Sequence, residues 1–245
     1  HLQTVGGESM GGTSRPRLNG ASGHPKTSFD FWGRAFAGRR SGLSETPFGH
    51  EPVLLEDVLS GLRLSPGALV VDATVGGGGH AAAILEETAP DGRLIGLDRD
   101  DDALAAAARR LEPFGGRVRL VRASFGDLAA VLAAEAIAAV DGVLFDLGVS
   151  SHQLDAASRG FRFSEATAAE TPLDMRMDRR QPRTAADLLA HASEPELERW
   201  FREYGELPGA SRLARTITER RQHAPLRTSA DLMDAVREAR VGGGR

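Results

Sequence analysis

Three short, largely apolar runs that close on an aspartate constrain this chain more than any other feature. They are Ala68-Leu69-Val70-Val71-Asp72, Arg93-Leu94-Ile95-Gly96-Leu97-Asp98 and Asp141-Gly142-Val143-Leu144-Phe145-Asp146-Leu147. Val118-Arg119-Leu120-Val121 is a fourth run of the same kind. Runs this short and this apolar read as strands buried on both faces. Helical patterns separate them. One follows the glycines at 76–79 and passes through Ile84-Leu85; others cover Asp101 to Leu111 and Leu128 to Ala138. Val53, Leu54, Val58, Leu59 and Leu62 mark the apolar face of a helix ahead of the first strand. Strand and helix alternating at this spacing predict an α/β fold with a parallel, doubly wound sheet. Asp72, Asp98 and Asp146 then stand at the carboxyl edge of that sheet, where such folds bind ligands.

The first strand leads into Gly76-Gly77-Gly78-Gly79-His80-Ala81. Glycines permit positive φ and close approach of a ligand to the backbone, and the N-terminus of the next helix favours hydrogen-bond acceptors. No Gly-Lys-Ser/Thr ending follows, so this is not a P-loop. The loop satisfies G-x-G-x-x-A, with Asp98 about twenty residues on, which also fits a dinucleotide fold. Asp72 divides the ligands by charge. A carboxylate beside the loop repels a pyrophosphate and attracts an ammonium. S-adenosylmethionine has an ammonium, a sulfonium and no phosphate, so Asp72 favours it over NAD; an NAD-dependent oxidoreductase stays as the second enzyme reading. Asp98 is placed to accept both ribose hydroxyls. Read singly, Asp72 is also a turn or cap acid, His80 a structural histidine, and Ser150 and Ser151 helix caps.

Composition excludes several classes. The chain has 245 residues, no cysteine and a net charge of -4. Without cysteine there is neither a disulfide scaffold nor Cys-ligated zinc. No apolar run is long enough to span a membrane, and no secretory signal is evident at the start, so the expected compartment is the cytoplasm. Residues 1–46 read as a disordered tail, in which Phe29, Phe31, Trp32 and Phe36 build no core. Residues 47–151 form the α/β core. Residues 152–225 form a helical insertion, with helices at Thr184–His191, Pro195–Tyr204 and Ala210–Arg221. Residues 226–245 hold a return helix from Ser229 to Arg240, capped by Thr228 or Ser229. Charge follows the same division. Residues 47–150 hold eight basic and sixteen acidic side chains, whereas residues 151–245 hold sixteen and fifteen. An anionic partner is therefore expected at the second half, where Arg176, Arg179, Arg180 and Arg183 cluster. A solvated arginine face is the alternative reading there.

Several motifs, in order, resemble one family. His50-Glu51-Pro52-Val53-Leu54-Leu55 comes first, then Asp72-Ala73-Thr74 with Gly78-Gly79-His80, then Gly96-Leu97-Asp98-Arg99-Asp100. The run from Asp141 to Leu154 and the stretches Arg159-Gly160-Phe161 and Pro172-Leu173-Asp174-Met175-Arg176-Met177-Asp178 are the most specific. Tyr204-Gly205-Glu206 and Ala214-Arg215-Thr216-Ile217 continue the match. Together, over about residues 48–240, they resemble the bacterial 16S rRNA (cytosine-N4)-methyltransferases, the RsmH/MraW family.

The resemblance implies a Rossmann-like class I methyltransferase sheet, S-adenosylmethionine as cofactor, and methylation of the exocyclic amine of one cytidine in the decoding region of 16S rRNA. Its partner would be 16S rRNA or the small ribosomal subunit; oligomeric state is left open, a homodimer being one option. Carried over by motif, Gly78, Gly79 and His80 contact the cofactor, Asp98 holds its ribose, Phe125 and Asp146 lie near its adenine, and Gln153 completes the site. Read alone, Phe125 is a core residue. Asp146 and Asp174 are the candidates for accepting hydrogen bonds, and a proton, from the attacking amine. Two stretches depart from the pattern: extra residues at Ser164–Glu170, and Leu207-Pro208-Gly209 in place of a more charged segment. The family also continues beyond the position of Arg245 with the last strands of its sheet. The expectation is therefore a four-stranded sheet with an open edge and C-terminal strands missing, and an inactive RNA-binding remnant of the family is a further alternative.

Overall fold

The computed structural model describes residues 2–6, 52–150, 153–154, 156–162 and 167–241. The segment from His50-Glu51 back to residue 7, with Phe29, Phe31, Trp32 and Phe36, lies outside them, as do Ser151, His152 and residues 163–166. The chain forms two compact units, 1–148 and 149–245.

In the first unit, strands β1 (Leu2–Gly6), β2 (Leu69–Asp72), β3 (Arg93–Asp98), β4 (Val118–Arg122) and β5 (Gly142–Asp146) form one sheet in the order β1-β5-β2-β3-β4. The pairs β5–β2, β2–β3 and β3–β4 are parallel. Helices α1 (Leu55–Leu62), α2 (Gly79–Glu87), α3 (Asp101–Leu111) and α4 (Leu128–Ala134) alternate with them. This is the doubly wound, Rossmann-like arrangement anticipated from the alternating runs. Side chains on successive strand residues point to opposite faces, and each face is sealed separately. Val70, Leu94 and Leu144 pack with Val58, Leu62, Ile84, Leu85, Ala107 and Leu111 of α1, α2 and α3. Leu69, Val71, Ile95 and Leu97 pack on the other face with Leu128, Val131 and Leu132 of α4. Each fully buried Leu or Ile contributes roughly 1.5–3 kcal/mol of transfer free energy.

Two readings are corrected here. Leu2–Gly6 is not tail: it pairs antiparallel with β5, Leu2 opposite Asp146 and Gly6 opposite Gly142. The β5 edge, expected to be open, is therefore hydrogen-bonded, which satisfies backbone groups that would otherwise face solvent or another chain. Helix α4 stops at Ala134 rather than Ala138, because Ala136 adopts a left-handed φ of 55°.

The second unit is helical. Helices α5 (Ala185–His191), α6 (Glu194–Glu203), α7 (Ala210–Arg220) and α8 (Ser229–Glu238) follow a loop-rich stretch. Three of them begin with a capping box, Thr184 with Asp187, Ser193 with Glu196 and Thr228 with Asp231. Each box satisfies two N–H groups that a helix start leaves open. Leu173, Leu189, Leu197, Leu213, Ile217, Leu226 and Ala235 form one core with Trp200 and Phe201. Because Leu226, Ala235 and Val241 belong to that core, residues 226–241 are not a separate return segment. The departing stretch Leu207–Gly209 has a clear role: Leu207 N–H donates to the Phe201 carbonyl at 3.0 Å, and Gly209, with φ 89°, starts α7.

Gly160 joins the motifs Arg159–Phe161 and Pro172–Asp178 by backbone contact. Its φ is 74°, and a Cβ there would lie 2.3 Å from the Pro172 carbonyl oxygen and 3.0 Å from the Asp174 nitrogen. Gly160→Ala is therefore expected to cost about 2 kcal/mol or more in urea unfolding. Gly116→Ala, which meets nothing within 4 Å, is expected to be near neutral; equal effects at the two positions would contradict this packing.

Candidate functional site

The carboxyl edge of the first unit gathers three acids and the glycine loop. Asp72 ends β2 at 1% exposure, Asp98 ends β3 and Asp146 ends β5. The loop is tied to these acids by its own backbone. The Thr74 N–H donates to Asp72 Oδ1 at 3.1 Å, and Thr74 Oγ1 accepts from the Asp146 N–H at 2.8 Å. The Gly76 N–H donates to Asp98 Oδ2 at 3.1 Å, and the Asp100 N–H donates to Asp98 Oδ1 at 2.9 Å. Asp100 in turn caps α3 through the Asp102 N–H.

The glycines answer two different demands. Gly76, with φ 50°, has no neighbour closer than 3.8 Å to where a Cβ would sit, so its backbone is open to a ligand. Gly78, with φ 80°, is the N-cap of α2, and a Cβ there would press on Ala107 Cα and Leu111 Cγ, both at 3.3 Å. A Cβ on Gly79 would lie 2.7 Å from Pro52 Cγ. Loop and α3 are thus packed together by the absence of side chains. His80 is buried, and its Nε2 lies 3.0 Å from the Val53 carbonyl oxygen. A carbonyl only accepts, so Nε2 carries the hydrogen. The other nitrogen, Nδ1, lies 3.9 Å from Asp146 Oδ2.

Electrostatics at this edge are acidic. Burial pushes the Asp72 carboxyl up to about 7, against the stabilising Thr74 N–H, and the charges of Asp146 and Asp98 push in the same direction. Burial also raises Asp98, opposed by the N–H groups of Asp100 and Gly76. Asp146 is the most open of the three, its side chain 40% exposed. A charge pair 4 Å apart at an effective dielectric of 20 is worth about 4 kcal/mol. The sign of a ligand's charge is therefore decisive here, and the edge suits a cation without phosphate. Phe125 follows β4 in a single turn, Phe125–Asp127, and is 44% exposed rather than in the core. It meets Phe145 edge-on at 6.2 Å.

The remaining sequence candidates lie in the second unit. Gln153 is buried; its Oε1 accepts from the Ser150 N–H at 3.0 Å, and Ser150 Oγ accepts from the Gln153 N–H at 3.2 Å. Asp174 and Arg176 engage each other: Nε donates to Oδ1 at 2.8 Å and a terminal nitrogen to Oδ2 at 2.7 Å. Hydrogen bonding to Arg176 holds the Asp174 carboxyl below its ordinary range, which makes it a poor proton acceptor. Arg179, Arg180 and Arg183 are exposed. Sequence reasoning missed two residues. Thr74 joins Asp72 to Asp146, and its place two residues after a strand-terminal aspartate was the available signal. Arg159 is 1% exposed, and its place in the Arg159-Gly160-Phe161 motif was the available signal.

The sheet and its acidic, glycine-rich edge define a Rossmann-like α/β protein. The profile of the MraW methylase family matches residues 47–242, and the chain belongs to that family. It is 52% identical over 196 residues to a ribosomal RNA small subunit methyltransferase H from Syntrophus aciditrophicus, covering 80% of this chain and 61% of that protein. Proteins of the same name from Syntrophotalea carbinolica and Symbiobacterium thermophilum are 53% and 50% identical, covering 82% and 78% of this chain and 63% and 59% of theirs. The chain thus spans about three fifths of the length of these relatives. Among the described residues, no helix is long and apolar enough to cross a membrane.

The buried acid sets a pH dependence for the unliganded chain. Asp72 titrates near 3.8 when unfolded and near 7 when folded, so the folded state binds the extra proton between these values. Stability is expected to fall as pH rises from about 4 to about 7, and to be level above, by on the order of a few kcal/mol. Asp72→Asn should flatten that fall in urea titrations at stepped pH; an unchanged profile would assign it to other groups.

Proposed function

We propose that this chain carries the catalytic core of an S-adenosylmethionine-dependent methyltransferase acting on the exocyclic N4 amine of a cytidine in the decoding region of 16S rRNA. One observation carries the cofactor reading: Asp72, Asp98 and Asp146 converge beside an open glycine backbone, which favours a cationic, phosphate-free ligand. The names of the relatives support small-subunit rRNA as substrate. Such an enzyme works in the cytoplasm, on 16S rRNA or the small ribosomal subunit.

When bound, the cofactor supplies a methyl group made electrophilic by its sulfonium. Asp72 would hold the ammonium, Asp98 the ribose hydroxyls, the backbone of Gly78, Gly79 and His80 would contact the ligand, and Phe125 would border the adenine; Gln153 is carried over from the resemblance alone. The N4 lone pair of cytosine is delocalised into the ring and is a weak nucleophile, so positioning supplies much of the rate. Asp146 is the better of the two acid candidates. It is partly exposed and its backbone is fixed by Thr74, whereas Asp174 is held by Arg176. Asp146 would accept a hydrogen bond from the amine and take its proton, while the cofactor would supply the methyl group and keep the bonding electron pair on its sulfur. Arg179, Arg180 and Arg183 meet phosphates of the RNA.

Asp146→Ala is expected to lower methyl transfer from labelled cofactor to unmethylated small subunits by about 100-fold or more. Near-normal turnover at saturating cofactor would remove Asp146 from the mechanism, and cofactor binding without transfer by the parent chain would identify an RNA-binding relative instead. Asp72 must be ionised to receive an ammonium. Cofactor affinity measured by calorimetry is therefore expected to rise about tenfold per pH unit up to about pH 7 and then level off. A flat profile, or one unaltered in Asp72→Asn, would count against that contact.

A further inference from the structure

The segment from Asp174 to Arg183 contains four arginines and two aspartates, with a third aspartate at 187, so its composition alone argues for only a small net positive charge. The fold separates the two signs. Asp187, just beyond it, is the third residue of α5 and is engaged in the capping box with Thr184. Asp174 is engaged bidentately by Arg176. Asp178 turns back on the loop, its Oδ1 accepting from the Arg180 N–H at 2.9 Å and its carbonyl from the Gln181 N–H at 3.0 Å. Arg179, Arg180 and Arg183 are exposed.

Arg176 is the bracket of this loop. Besides the two bonds to Asp174, it donates through Nη1 to the carbonyls of Arg179 at 3.0 Å and Gln181 at 2.8 Å. Four hydrogen bonds from one planar guanidinium fix the two ends of the turn against each other, and an ammonium cannot reproduce that fork. Beneath it lies Arg159, buried, donating to the carbonyls of Arg176 at 2.9 Å and Met177 at 3.2 Å. The Met175 N–H returns a bond to the Arg159 carbonyl at 2.9 Å. A loop with this much internal bonding loses little further conformational entropy when it binds.

We infer that Asp174, Arg176 and Arg159 are positioning residues that prefold residues 176–183 into a phosphate-docking arm, in which Arg179, Arg180 and Arg183 contact RNA and Arg176 does not. The inference rests on the RNA reading above for its ligand, and on the hydrogen bonds alone for its framework. Two measurements on the full chain separate these. Amide exchange of the 174–183 segment is expected to quicken about tenfold or more in Arg176→Lys, and likewise in Asp174→Asn, while Arg179→Ala and Arg183→Ala leave it unchanged. Binding of a synthetic single-stranded RNA oligonucleotide is expected to weaken at least fivefold in both groups. In Arg179→Ala and Arg183→Ala the slope of log affinity against log salt should shrink by about 0.7 per arginine. Unaltered exchange in Arg176→Lys and Asp174→Asn would overturn the framework. Unaltered salt slopes in the arginine variants, or competition by polyglutamate comparable to that by RNA, would overturn the docking role. Failure of the parent chain to bind RNA at all would instead count against the proposed function.

Discussion

The carboxyl edge of the sheet depends on backbone N–H groups reaching back to buried carboxylates. Asp72 lies in a nearly dry position, where a charge is costly unless it is well compensated. The Thr74 N–H donates to it, and two further acids stand nearby. The carboxyl answers by holding its proton to about 7. This strain fixes the loop: Thr74 must turn toward Asp72 and offer its hydroxyl to the Asp146 backbone, and Gly76 must turn toward Asp98. The same contacts that define the loop thus leave an acidic, under-compensated edge.

The second unit handles charge in the opposite manner. Its carboxylates are matched to local backbone or side-chain donors, at Thr184, Ser193 and Thr228 by capping boxes and at Arg176 by a bidentate pair. Arginine likewise serves as a backbone donor: Arg221 reaches the carbonyls of Leu189 and Ala192 at the end of α5, at 2.7 and 2.6 Å. Nearly equal numbers of acids and bases in residues 151–245 therefore do not mean a neutral surface everywhere. What decides the local field is which side chains are engaged by short-range hydrogen bonding, and between residues 174 and 183 these include Asp174 and Arg176, which bond each other.

The strands β2 to β5 were legible because burial on both faces demands continuous apolar runs, and the strand-terminal aspartates marked the edge directly. Helix starts were legible where a Thr or Ser stands three residues before an acid. The failures share a physical cause, which is that pairing is not local. Leu2–Gly6 offers five residues beside a glycine pair, and only β5, at the far end of the unit in sequence, makes it a strand. The Ala-rich end of α4 contains no Gly or Pro to mark its stop; the left-handed turn at Ala136 ends it. Phe125 was read as core by itself and near the adenine by resemblance; its exposure removes the first reading. Asp174 and Arg176 were each read by charge, as acid catalyst and phosphate ligand. Two residues apart on a non-helical turn, they meet each other.

That mutual engagement sets the protonation of Asp174. An acid that accepts a proton must keep a lone pair accessible and a pKa near the operating range, and Asp174 is held below its ordinary range by Arg176. Each carboxyl is thus set by its own surroundings: burial lifts Asp72 and Asp98 at the edge of the first unit, and a bidentate guanidinium lowers Asp174 in the second. The same residue type takes opposite directions because one site removes water without supplying a cation, and the other supplies the cation two residues away.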